Sequence, residues 1–147
     1  MKLKTGALFA LLLLLSLLGS CFAQERKQTA PASKYEGHST KFAVMVTDVQ
    51  HFRASILTAN EMNVKGNQYS FVIVVAGELA KDIVEDPSLL DDIAASEKIG
   101  AKIVVCENAL SYFNIPLEKL DKRLYTTKNS WIYMFQLKDK GYNTLNV

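Results

Sequence analysis

The chain has 147 residues, a formal net charge of +2, two histidines and two cysteines, with 49% of its residues hydrophobic and 22% charged. One ordinary domain fits that length and can bury a core without crosslinks. The charge excess lies in Lys2 and Lys4; without the first 23 residues, acidic and basic side chains balance, so nothing electrostatic favours nucleic acid or an anionic membrane.

Met1-Lys2-Leu3-Lys4 is a short basic start, residues 7–18 are almost wholly apolar, and Gly19-Ser20-Cys21-Phe22-Ala23 is a small-residue exit. This is the layout of a secretory signal over residues 1–23, too short for a stable membrane span. Two maturation routes fit it. Cleavage after Ala23 releases a periplasmic or secreted protein. Alternatively, Leu18-Gly19-Ser20-Cys21 resembles a bacterial lipobox, and Cys21 would be acylated and anchor the protein to a membrane. Either way Cys21 is removed or lipidated, and Cys106 is the only thiol left for the folded domain. No intrachain disulfide is then available.

Residues 24–40 are polar, carry Pro31 and Gly37, and read as a flexible linker; His38 lies within it and is expected to be solvated. From Lys41 the pattern alternates between strand and helix. Phe42-Ala43-Val44-Met45-Val46 is a continuous apolar run, as in a strand buried on both faces. Residues 51–63 place Phe52, Ile56 and Ala59 at helical spacing, and Gly66-Asn67 supplies a turn. Residues 69–76 form the strongest strand signal, ending at Gly77, with a short helix over 78–84.

Asp86-Pro87 starts the next helix, with Asp as N-cap and Pro at the first position. Its expected buried face is Leu89, Leu90, Ile93 and Ala94, and Gly100 stops it. Residues 101–105 form a third strand ending at Cys106. Helical pieces follow over 109–113 and 116–120, then a short strand over 123–126. Asn129 caps a helix bearing Trp131, Met134 and Phe135, expected to be core or an oligomer interface, and Gly141 ends it. Residues 142–147 close the pattern as a strand. Strands separated by helices of this length imply a three-layer α/β/α sandwich with a mainly parallel sheet of four or five strands.

There is no phosphate-binding Gly-Lys-Ser/Thr loop, no Gly-x-Gly-x-x-Gly and no Gly-x-Ser-x-Gly. His51 is the sole histidine of the domain, so no histidine-rich metal site is expected, and no cofactor; at a helix start it reads as a surface residue. Lys119, Lys122, Arg123 and Lys128 read as a solvated face. Asp48 follows the first strand, in the position of a receiver domain's acidic residue, without the further carboxylates that such a site needs.

Cys106 is the informative residue. Ligands and reactive groups in open α/β sheets gather beyond the carboxyl ends of strands. A thiol there, at the start of a helix, is drawn toward thiolate, with Glu107 opposing the shift if close. The competing reading is a buried structural cysteine. Asp48, Gly77, Glu107 and Asn108 are the candidate binding residues around it, and a solvent-reachable thiol is the expectation.

The segment Ala101-Lys-Ile-Val-Val-Cys-Glu-Asn-Ala-Leu110 resembles the cysteine segment of the DsrE/DsrF-like family of sulfur-relay proteins, and the likeness of pattern extends over residues 41–147. The resemblance implies a flavodoxin-like fold, assembly into trimers or hexamers, and a cysteine, here Cys106, that carries sulfur as a persulfide between a donor and an acceptor protein. Two features depart from the family: the export signal, and Ala76-Gly77-Glu78-Leu79 in place of its His-Gly and glycine-rich turn. The alternative function is a non-catalytic small-ligand or protein-binding domain with Cys106 as a structural residue.

Overall fold

The three apolar runs become the middle of a parallel sheet. β1 (Lys41–Val46), β2 (Ser70–Val75) and β3 (Lys102–Cys106) lie side by side, with Val44 opposite Ile73 and Ile73 opposite Ile103. Two short strands flank them, β4 (Tyr125–Thr127) beside β3 and β5 (Asn143–Asn146) beside β1. All pairs are parallel and the order is β4-β3-β2-β1-β5. This is the expected α/β sandwich, with five strands and a flavodoxin-like layering. The computed structural model describes residues 37–62 and 64–147. The signal segment, the lipobox and residues 24–36 of the linker lie outside the described residues. His38 is exposed, and Thr40 already accepts a hydrogen bond from the Ser70 N–H at 2.8 Å.

Strand side chains alternate between faces, and the two faces are covered differently. Phe42, Val44, Val46, Phe71, Ile73, Val75, Ile103 and Val105 share the larger core. Helices α1 (Val49–Glu61), α2 (Leu79–Glu85) and α3 (Leu90–Ile99) supply its other side through Phe52, Ile56, Ala59, Leu79, Ile83 and Ile93. Ala43, Met45, Val72, Val74, Val104 and Cys106 face the other way, onto Met134 and Leu137 of α5 (Ser130–Asp139). Among the described residues, no helix is long and apolar enough to cross a membrane.

Local chemistry sets the helix ends. The Asp48 carboxylate accepts from the His51 N–H at 2.9 Å and starts α1 two residues earlier than the periodicity indicates. Asp86 and Pro87 begin a short 3-10 turn, Pro87–Leu89, that leads into α3. Gly100 takes the left-handed conformation that stops α3, at φ 81°.

The buried stripe of α3 differs from expectation. Leu89, Ile93 and Ser96 are buried, whereas Leu90 and Ala94 are exposed. The tight first turn rotates Leu89 inward, and Ser96 tolerates burial because its hydroxyl donates to the Ala101 carbonyl at 3.0 Å.

Helix α5 also divides what the sequence grouped together. Met134 is buried, but Trp131 is 59% and Phe135 64% exposed, with Ile132 beside them. Only one stripe of a helix can reach the sheet, and with no further helix layer above it among the described residues the rest faces outward.

Candidate functional site

The carboxyl ends of β1, β2 and β3 bring Asp48, Gly77 and Cys106 to one edge of the sheet. They do not form one cluster. Asp48 and Cys106 are separated by β2, about 10 Å at ordinary strand spacing. They also belong to different sides: the Cys106 side chain packs on the α5 face, while Asp48 heads α1 on the other.

Cys106 ends β3 and is the N-cap residue of α4 (Glu107–Tyr112). The start of α5 lies beside it because β4, which leads into α5, pairs with β3: Cys106 is opposite Thr127. Asn129 caps α5, its side chain accepting from the Trp131 and Ile132 N–H groups at 3.0 and 3.4 Å. The Ser130 N–H and hydroxyl lie on the side of Cys106 and act to lower its pKa. Burial pushes the thiol up. Hydrogen bonds from the Ser130 hydroxyl and from the N–H groups of Ser130, Ala109 and Asn108 outweigh it, and the pKa lies below the ordinary thiol value. Cys106 is only 5% exposed. The expectation of a solvent-reachable thiol is corrected: alternation on a central strand puts Sγ under α5.

The flanking candidates have defined structural duties. Glu107 accepts from the Thr126 hydroxyl at 2.7 Å and lies 4.0 Å from the Lys128 ammonium, so its carboxylate is engaged with β4 and the following loop. The Asn108 N–H also donates to the Lys128 carbonyl at 3.2 Å, and its side chain is exposed. Gly77 adopts φ 57°, and a Cβ there would stand 3.3 Å from the Thr47 Cβ. Its identity is explained by a tight turn from β2 into α2.

Asp48 does more than cap. Its second oxygen lies 2.6 Å from His51 Nδ1, and hydrogen bonds from the His51 ring and backbone hold its carboxyl below the usual carboxylate range. His51 is half-exposed, as the sequence indicated, yet it is paired and stands at a cleft of about 390 Å³ between α1 and β5. The described residues contain no group of three or more His, Cys, Asp or Glu side chains that could hold a metal ion.

No protein-family model matches the sequence, and neither does any curated protein. Among solved structures, a protein of unknown function from Methanobacterium thermoautotrophicum superposes with a TM-score of 0.61 at 12% identity, over 73% of this chain and 98% of its own. A conserved protein of unknown function from Bacteroides thetaiotaomicron gives 0.61 at 15% identity, over 74% and 95%. The likeness is one of fold.

Ser130 is the residue that sequence reasoning missed. Asn129 announces a helix start, but only the β3–β4 pairing places that start beside Cys106, and strand order is not written in local pattern.

Proposed function

We propose that this is an exported, DsrE-like sulfur carrier acting through Cys106. The supporting observation is the set of donors around Sγ: the Ser130 hydroxyl and three backbone N–H groups from the starts of two helices, which favour the thiolate despite burial. A thiolate attacks the terminal sulfur of an inorganic polysulfide. A new S–S bond forms at Cys106, the neighbouring S–S bond breaks, and the shortened polysulfide leaves with the electron pair. The same donors would stabilise a persulfide anion. An acceptor thiolate then attacks the outer sulfur and releases Cys106 as thiolate, so no external oxidant or reductant is consumed. Cys106 is the only described cysteine; the persulfide is not resolved by an internal disulfide and persists until an acceptor arrives.

The test is to incubate folded protein with polysulfide and weigh it before and after reductant. The expected result is a reducible gain of one sulfur atom, absent in Cys106→Ser. The burial of Cys106 favours a second reading, a ligand- or protein-binding domain in which the cysteine finishes a strand. No adduct, with no alkylation of Cys106 until the protein unfolds, establishes that reading and removes the first.

Assembly into a trimer or hexamer belongs to the same proposal. It is supported by the outward strip Trp131, Ile132 and Phe135 on α5, apolar surface that a second copy would cover. Light scattering at micromolar concentration should give a mass several times that of one chain; a monomer there rejects assembly. Export, by cleavage after Ala23 or by lipidation of Cys21, stands as part of the proposal on the sequence of residues 1–23 alone.

A further inference from the structure

The β1–β5 boundary is where the sheet changes direction of winding. The chain leaves β1 for α1 on one face, whereas β5 is reached from α5 on the other. Helix α1 covers β1 on its face of the sheet, but Leu145 of β5 stays exposed there, which leaves the cleft of about 390 Å³ running beside β5 beneath α1, a volume within the range of small-molecule sites.

Its middle is apolar, with Asn143 near the amino edge of the sheet and His51 at the other end. Phe42, Val44, Ala54, Met62, Phe71 and Leu145 line it. Ser55 and Thr58 also line it, but their hydroxyl protons are spent on the helix, donated to the His51 and Ala54 carbonyls at 2.7 and 2.8 Å. The α1 wall therefore presents no free hydroxyl donor. His51 stands at the carboxyl-edge end. Its Nδ1 is occupied by Asp48 at 2.6 Å; in the neutral ring this contact selects the tautomer with Nδ1–H toward the carboxylate, which leaves Nε2 as an acceptor. An anionic head group would meet the negative charge of Asp48 at the same place; a neutral donor would not.

We infer that this cleft binds a neutral, elongated apolar molecule bearing one hydroxyl, an alcohol or phenol, whose O–H donates to His51 Nε2 while its body lies along Val44 and Leu145. The inference is independent of Cys106, which packs on the opposite face of the sheet.

The experiment is an NMR titration of the ¹⁵N-labelled full chain with 4-butylphenol, 4-butylanisole and 4-butylbenzenesulfonate. The phenol should saturate with shifts centred on Val44, Ser55 and Leu145. It should bind about fivefold more tightly than the anisole, the size of one net hydrogen bond, and the sulfonate should bind least. His51→Phe should abolish the preference for phenol over anisole. Ala54→Trp, at an exposed position on the cleft wall, should block all three with an unchanged circular dichroism spectrum; Thr58→Trp serves if that variant fails to fold. Equal binding of the three probes, shifts elsewhere on the protein, or groove shifts that depend on protein concentration without probe (a second copy as occupant) would each overturn the inference.

Discussion

Truncating Ile73 to alanine should lower the unfolding free energy by about 2–5 kcal/mol, the range for a fully buried branched aliphatic side chain. Ile73 has no exposed surface and lies on β2, the middle strand, between Val44 of β1 and Ile103 of β3. Strands hydrogen-bonded on both sides cannot shift far to refill the space, so most of the cavity remains after the methyl groups are lost. Urea denaturation with an unchanged slope is the measurement, since a constant slope attributes the change to stability. A loss under about half a kcal/mol, the scale of ordinary surface substitutions, would contradict a rigid central strand.

The second large effect concerns the thiol. Replacing Ser130 with alanine removes the hydroxyl donor to Cys106 and keeps the backbone N–H. The thiol pKa should rise, and the rate of modification by a small thiosulfonate at neutral pH should fall, because the thiolate fraction shrinks. The pH profile of that rate separates electrostatics from packing: its midpoint should move upward in Ser130→Ala, while thermal stability changes little. An unmoved midpoint would mean that the hydroxyl has no part in holding the anion. Uptake of polysulfide sulfur should slow in parallel.

Much of the fold was legible because buried parallel strands need unbroken apolar runs, and residues 42–46, 71–75 and 103–106 supply them. The edge strands were harder to bound. Tyr125–Thr127 and Asn143–Asn146 are mostly exposed, so their sequences carry no burial signal and their limits shifted inward or onward by a residue or two. The turn before β2 was marked by Gly66-Asn67, yet the left-handed residue there is Gln68, at φ 59°. The turn is closed locally, by the Tyr69 N–H donating to the Val64 carbonyl at 3.0 Å and the Asn67 amide to the Met62 carbonyl at 2.8 Å.

The site was legible as an edge but not as a constellation. The position of Cys106 at a strand's end could be read from pattern; which helix start would lie against it, and on which face, depended on strand order. The same holds for His51. A lone histidine at a helix start looks like surface, and only the position of β5 beside β1 turns its neighbourhood into a cleft wall.

The pairing of β5 with β1 joins residues about a hundred positions apart, Phe42 with Asn143, whereas β1–β2 and β2–β3 join strands that follow one another. Closing so long a loop costs more chain entropy than closing a single strand–helix–strand unit, and the cost must be met before the contacts repay it. The domain is thus divided in time as well as in space: four strands with local partners, β1 to β4, can assemble early, and the strand that walls the cleft is the one whose arrival waits on all the rest.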